Sequence, residues 1–571
     1  MTTYFDRLPV ELLHMIFQFL SDCDVIWSFF YVSPYLNAVV NNYNYQKINF
    51  QSISKTRFDF VCNHLNLPNI ISLTLSNDSE TPGQVELFFN RFNLQDFISL
   101  RVLTIISVTN EDINPILSDL PKLPHLTSLI TECRSDQPLL LGQVLNQLKS
   151  LQHLSVSYGD IFDHNVALPL RNLKELNAGI CNFLELRRLQ MIVPALVSLK
   201  INLQANHQLQ LLSDSDIWSS LQRLDLTLNH ETTITFTEIQ PLLYRFHKLT
   251  HLTLNVRGSA ENLANGYLWE TSSTIIRLRT FHFIIEFDHH PLIDQSELVD
   301  EIFRSFSTPF WLDIKKWYIF ITTHGIYTIS CYDEQAFILP TFPPLSTSPD
   351  YKWFYSKTKR IKLDNNILLK NLNKFYNLER LDLSDEHLLS SIDNINQFIH
   401  LRHLVIHKNI SNKILGDMLL HNPHINHLTI SQNNFNQLFP FKTIRYLHIQ
   451  NTIKIKNRTQ IKQISKIFPS IRRLFIHVSS MRLIYQIING FQHLDNGVFE
   501  CQEKIQFMLP EWLKGNTRLK HNTCSFTWRR EQNKFLLWIN DSIEPSVPSN
   551  NDIEDSSNVI EEQRSDKCSL Q

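Results

Sequence analysis

The chain has 571 residues, 43% of them hydrophobic, with 53 basic and 55 acidic side chains and a formal net charge of −2. That is apolar material for several domains or one long repeat array, and the near-balance of charge gives no bulk attraction to nucleic acid or to a membrane surface. Glycine, at 11 residues, falls well short of the usual share of about 7%, which leaves little for phosphate-cradling loops, and no nucleotide-binding fingerprint is present.

The first predicted element is an amphipathic helix. Asp6-Arg7-Leu8-Pro9-Val10-Glu11-Leu12-Leu13 places Pro9 in the first turn, where a missing N–H costs nothing, and Glu11 at the positive end of the helix dipole. Leu12, Leu13, Ile16, Phe17 and Leu20 recur at helical spacing and form an apolar stripe. Ser21-Asp22 is a stop-and-restart signal. Val25, Ile26, Phe29, Phe30, Val32, Leu36 and Val39 then give a second helical series, broken at Ser33-Pro34.

This segment resembles the F-box, through Leu8, Pro9, Glu11, Leu12, Leu13, Ile16, Phe17 and Leu20, which match its Leu-Pro-x-Glu-Leu-Leu start and the Ile-Phe one turn later. The second half departs from the family, with Val32-Ser33 and then Leu36 where Val-Cys and a nearby Trp are common. The resemblance implies a module over residues 4–48 that docks on the adaptor of SCF-type (cullin-based) ubiquitin ligases. The eight matching residues would be the adaptor-binding set.

From residue 70 onward one short pattern recurs, apolar-x-x-apolar-x-apolar, spaced 19 to 30 residues apart within each block. Examples are Leu100-Leu103-Ile105, Leu196-Leu199-Ile201, Leu249-Leu252-Leu254, Leu401-Leu404-Ile406 and Ile471-Leu474-Ile476. The pattern resembles leucine-rich repeats, over roughly residues 65–480. Each unit supplies a short strand and a helix, and neither buries its apolar side alone. The expected fold class is therefore an α/β solenoid, a horseshoe with a parallel sheet on its open concave face, preceded by the small helical module. The expected organisation is a first block over 65–284, irregular repeats over 285–357, a second block over 358–480 and a C-terminal cap over 481–540. In the irregular part Ile314-Trp317-Ile319 still fits the template, and His324-Gly325 reads as the turn of an inserted β-hairpin. The alternative is a true boundary between two arcs at about 290–350. Residues 521–540 read as a closing hairpin. The tail from Asp541, with eight acidic and two basic residues, is expected to be disordered.

No constellation for bond chemistry is evident, and no cofactor is expected. His421, His424 and His427 straddle a turn and the start of a strand, so no metal site is expected from them. A hidden enzyme using His324 is the weakest reading. Strand alternation instead identifies the inner face. In the first block it is small and polar (Ser72, Thr74, Ser155, Lys200), whereas in the last units it carries Arg380, His403, His407, His427, Tyr446, His448, Arg473 and Phe475. Arg and aromatic residues dominate binding hot spots, so these eight are the expected substrate-binding set. Their histidines would make binding sensitive to pH between about 5 and 7; whether recognition needs phosphorylation is left open by the sequence, although Arg380 and Arg473 would allow it.

The expected role is a non-catalytic substrate receptor that joins the adaptor and cullin scaffold to a protein substrate for ubiquitin-dependent degradation. The alternative is a repeat scaffold with no ligase role. The scattered cysteines read as reduced thiols, no signal peptide opens the chain and no apolar run spans a bilayer, so a cytoplasmic or nuclear location is expected. Membrane association would require prenylation of Cys568 in the C-terminal Cys568-Ser569-Leu570-Gln571.

Overall fold

The computed structural model describes residues 4–43, 46–134, 141–157, 169–203, 220–228, 235–258, 261–287, 296–321, 325–329, 337–338, 345–349, 358–363, 375–383, 398–407, 412–431, 440–450, 454–501, 513, 515, 517, 519, 526–531 and 533–540. His324, Cys568 and the tail from 541 lie outside the described residues.

Three short helices open the chain: α1 (Val10–Phe17), α2 (Asp22–Phe29) and α3 (Pro34–Asn41). Pro9 sits one residue ahead of where the spacing predicts it, as the extended N-cap of α1, and its carbonyl accepts from the Leu12 and Leu13 N–H groups. Ser21 and Ser33 cap the next two helices by accepting from Asp24 N–H and Leu36 N–H, both at 3.1 Å. Leu13, Phe17, Cys23, Val25, Ile26, Leu36, Val39 and Val40 are buried and form the core of this module.

The module is fastened to the start of the repeat array. The Lys47 N–H donates to Asp22, and Cys23 Sγ donates to the Asn49 carbonyl at 3.3 Å. Both bonds reach strand β1 (Gln46–Asn49), after which comes helix α4 (Lys55–Asn63). Against α4 the module places Trp27 on Phe60, with ring centroids 5.0 Å apart, and Asp24 on Arg57 at 2.9 Å.

From β1 the sheet continues through β2 (Ile70–Ser76), β3 (Val102–Val108), β4 (Ser128–Cys133), β5 (His153–Val156), β6 (Glu175–Cys181), β7 (Ser198–Leu203), β8 (Arg223–Leu228), β9 (His251–Arg257) and β10 (Thr280–Glu286), each parallel to its neighbour. One register row joins the central apolar residue of every unit: Ile48, Leu73, Leu103, Leu129, Leu154, Leu176, Leu199, Leu224, Leu252 and Phe281. All ten are buried. This ladder makes the chain a repeat solenoid, since each leucine contacts its counterpart one unit on and the core is continuous. Outer helices start where strands end. Thr109, Asn182 and Thr235 open capping boxes with Asp112, Glu185 and Glu238, the same device in three units.

The first sheet ends in an antiparallel hairpin, β11 (Ile319–Ile321) and β12 (Gly325–Thr328), with β12 against β10. Ile314 does not take a repeat position. It is 70% exposed on a π-helical turn, because Trp311 and Phe306, 4.7 Å apart, already fill the end of the core. The strand ladder then breaks. A second sheet starts at β13 (Phe337–Ile338), while β14 (Leu345–Ser346) returns to β11. The second sheet runs through β15 (Arg360–Leu363), β16 (Arg380–Leu383), β17 (His403–Ile406), β18 (His427–Ile430), β19 (Tyr446–Ile449), the short β20 (Lys454–Ile455), β21 (Arg473–Val478) and β22 (Asn496–Cys501). Its core row is Ile361, Leu381, Leu404, Leu428, Leu447, Leu474 and Gly497. A Cβ on Gly497 would lie 2.5 Å from the Phe499 ring, so that ring occupies the leucine's space. The ladder therefore runs past both 65 and 480. It ends on an antiparallel hairpin, β23 (Phe526–Glu531) and β24 (Lys534–Ile539), with β24 against β22.

The expectation of an open horseshoe is corrected here. The C-terminal hairpin meets the first repeats: Trp538 is 1% exposed and packs 5.3 Å from Phe58 of α4, and Arg529 reaches Asp112 at 2.6 Å. The array closes on itself.

Candidate functional site: two interaction surfaces

The eight residues of the N-terminal motif divide in the structure. Leu13 and Phe17 are fully buried, and Phe17 packs on Phe29 and Tyr43 at 5.0 and 5.5 Å. They pack inside the module and support it. Leu8 and Ile16 are half-buried, while Pro9, Glu11, Leu12 and Leu20 face outward. The reading of Phe17 as a docking anchor is thus replaced by one in which it holds the helix from beneath. Two residues outside the motif share the exposed side, Met15 at 57% and Phe19 at 88% exposure. Leu12, Met15 and Phe19 are spaced i, i+3, i+7, so helical periodicity would have found them had the motif not drawn attention to Leu13 and Phe17. Several exposed apolar side chains on one short segment form the kind of patch that marks a protein interface.

The inner face of the second sheet brings five of its eight expected residues into one register row. Arg380, His403, His427, Tyr446 and Arg473 are successive cross-strand partners, and Asn496 continues the row. The inter-strand spacing of about 4.8 Å sets ring against ring. His403 and His427 lie 5.4 Å apart, and His427 stacks on Tyr446 at 4.9 Å. His448 and Phe475 pair in a second row, 4.3 Å apart, and Lys534 lies over the Phe475 ring. His407 falls just beyond its strand, exposed, within 3.3 Å of Gln450.

Both arginines already have carboxylate partners. Arg380 makes a bidentate pair with Asp382 at 2.7 and 2.9 Å. Arg473 pairs with Glu80 at 2.5 Å and donates to the Ser52 carbonyl at 2.9 Å. The reading of them as open phosphate receivers does not hold in this state. Glu80 and Ser52 lie about four hundred positions away in sequence, and no local signal pointed to them.

Burial, with the charges of Arg380 and His427 adding to it, lowers the His403 imidazole to about 4. His427 is lowered by burial and by Arg473, and His448 by burial and by Lys534. At neutral pH these three rings are uncharged, and His403 titrates below the expected window. The row is thus a neutral aromatic and imidazole ladder bounded by two satisfied arginines, suited to hydrogen bonding and stacking against a protein chain.

Among the described residues no group of three or more His, Cys, Asp or Glu is placed to hold a metal ion, and no helix is long and apolar enough to cross a membrane. His421 bonds to the Asp417 carbonyl of its own helix at 2.7 Å, whereas His427 stands in the inner-face stack.

No family model and no curated protein matches the chain. Among solved structures it is similar to an internalin (InlF) of Listeria monocytogenes str. 4b F2365, at 14% identity over 77% of this chain and 88% of that one, with a TM-score of 0.18. It is also similar to a structure of the Rad7 and Elc1 complex in yeast, at 13% identity over 67% and 71%, TM-score 0.20. The functional domain of InlJ from Listeria monocytogenes aligns at 11% identity over 84% and 86%, TM-score 0.17.

Proposed function

We propose that the chain is a non-catalytic substrate receptor of an SCF-type ubiquitin ligase, working in the cytoplasm or nucleus. The exposed side of the segment Pro9 to Leu20 (the N-cap Pro9, Leu12 and Met15 of α1, and Phe19 and Leu20 in the turn that follows) docks on the ligase adaptor and, through it, on the cullin. The inner face of the second sheet holds a protein substrate. The observation that carries the reading is the division of the motif. Leu13 and Phe17 anchor the helix inward, while Leu12, Met15 and Phe19 leave an apolar row open to solvent. The mechanism is proximity: a substrate lysine held beside the charged ubiquitin carrier reacts as if intramolecularly, so the receptor needs no acid, base or metal of its own. The decisive experiment is capture of the adaptor by the full chain, compared with a variant carrying Leu12→Asp and Phe19→Asp. Capture by the native chain and loss in a folded variant supports the receptor reading. No capture by either leaves a protein-interaction scaffold.

A further inference from the structure

The C-terminal hairpin does more than cap the last strand. Along β23, alternate residues point to one side, and each meets a different repeat at the other end of the chain. Thr527 donates to the Pro82 carbonyl at 2.8 Å, in the loop after β2. Arg529 donates to Asp112 at 2.6 Å and Thr109 at 3.2 Å, in the turn after β3. Glu531 pairs with Arg134, just after β4. Residues two apart on a strand are about 7 Å apart and neighbouring parallel strands about 4.8 Å, and the long Arg529 and Arg134 side chains take up the difference. The hairpin therefore lies across the rim of three consecutive repeats.

A second line of contacts runs beside it. Asn496 donates to the Ser79 and Glu80 carbonyls at 2.9 and 3.0 Å. Arg473 holds Glu80 and Ser52. Asn540 accepts from Thr56 at 2.6 Å and donates to Asp59 at 3.2 Å. The receiving loop is preformed. Asp78 accepts from the Glu80 and Thr81 N–H groups, Asn77 accepts from the Val85 N–H, and Gly83 takes a φ of +75° with its missing Cβ facing Thr527.

The chemistry of this seam differs from that of the array. It consists of ion pairs, side-chain bonds to carbonyl groups and bonds between side chains. The apolar contributions centre on Trp538, which is in contact with Phe58 and Lys55. Away from it, the buried side chains fall into two apolar clusters that divide at the hairpin β11–β12, where Ile319, Ile321 and Ile326 belong to the first and Phe320 and Tyr327 to the second. Polar seams of this kind behave like transient interfaces and open more readily than the cores they join.

We propose that the C-terminal hairpin is a latch that closes the repeat array into a ring and opens as one unit, exposing the inner face of the second sheet to a protein chain that could not thread the closed ring. Glu80 then leaves Arg473 when the latch opens, and the row from Arg380 to Arg473 gains a free cation at its end. This inference rests on the seam alone and holds whether or not α1 binds a ligase adaptor.

The test uses the full chain in two forms. In Arg529→Ala/Trp538→Ala, hydrogen exchange at 76–83 and 109–112 should quicken by at least about tenfold, and the scattering radius should grow. Helix Phe236–Tyr244, on the far side of the array, should keep its protection. In Thr56→Cys/Asn540→Cys, whose parent side chains touch, oxidation should form a disulfide and slow exchange in both 76–83 and 526–539, and reduction should restore it. Unchanged exchange and radius in the first variant, failure of the cysteine pair to join, or slowing confined to one of the two segments would overturn the latch.

Discussion

Phe17 and Phe19 are two residues apart and predict opposite outcomes. Phe17 is 0% exposed, with Phe29 and Tyr43 packed at 5.0 and 5.5 Å and His14 at 6.2 Å. Truncation to Ala removes a fully buried ring from a module whose core holds only eight buried apolar residues, counted from Leu13 to Val40. The transfer and cavity costs together come to about 3–5 kcal/mol, enough to unfold three short helices that have little stability of their own. Phe19 is 88% exposed, so Phe19→Asp should change stability by no more than about 0.5 kcal/mol. If the exposed side of α1 and the turn after it is a docking face, the same change should cost about 2 kcal/mol or more in partner affinity, roughly thirtyfold. Hydrogen exchange over residues 10–41 reads the first quantity, and titration of the adaptor against immobilised chain reads the second. Phe17→Ala should lose both protection and binding, Phe19→Asp binding alone. If Phe19→Asp bound normally while folded, the docking face would be elsewhere. If it melted the helices as thoroughly as Phe17→Ala does, the inside-outside division of α1 and its following turn would be wrong.

Three further outcomes are expected. His403 titrates near 4 in the fold and near 6.5 when unfolded, so the unfolded chain binds the extra proton first. Stability should therefore decline as pH falls from about 6.5 towards 4, by about 1–2 kcal/mol at pH 5 after allowance for partial exposure, and denaturant midpoints of native and His403→Gln chains should converge there. Arg380→Ala leaves the Asp382 carboxylate, 6% exposed, without its bidentate partner; a loss of about 2–3 kcal/mol is expected, and Arg380→Ala/Asp382→Asn should recover part of it in the same melt. Gly325→Ala would set a Cβ 2.2 Å from the Ile285 carbonyl oxygen, so β12 should detach from β10, detected as faster exchange over 319–328.

The repeats were legible because their signal is redundant. Each unit spends two or three apolar residues on the same row, and a row of leucines from 73 to 252 survives a weak copy at 126 or 173. Where one unit broke the pattern, reading failed for a local reason. Gly497 stands at a leucine position because Phe499 fills it, so β22 was invisible, and Ile48 alone was too short a signal for β1. Ile314 fitted the spacing but lost its place to Trp311 and Phe306. On the inner face the residue types were readable, and five of them do share one row, since strand period fixes side and register fixes neighbour. Their partners were not readable, because Glu80 meets Arg473 only after the whole array has turned back on itself.

That closure bears on how the inner face works. A repeat array stores its curvature as a small rotation per unit, so its ends meet only if many small angles sum correctly. Among the described residues, the strand ladder is interrupted between the two sheets, at the hairpin Ile319–Thr328. A ring with a break in its ladder and a polar latch can change shape by hinging at the first and releasing at the second; release withdraws Trp538 from the first apolar cluster and leaves Phe535, Leu537 and Ile539 in the second. The inner-face row ends at the latch: Asn496 and Arg473 belong to the row and hold the loop at Ser79 and Glu80. A ligand that competes for Arg473 therefore competes with closure. Its affinity should be higher in Glu80→Gln, where the latch loses a charge, than in the native chain, and should fall in the Thr56→Cys/Asn540→Cys chain after oxidation. Equal affinity in all three would mean that the row binds its ligand without reference to the ring.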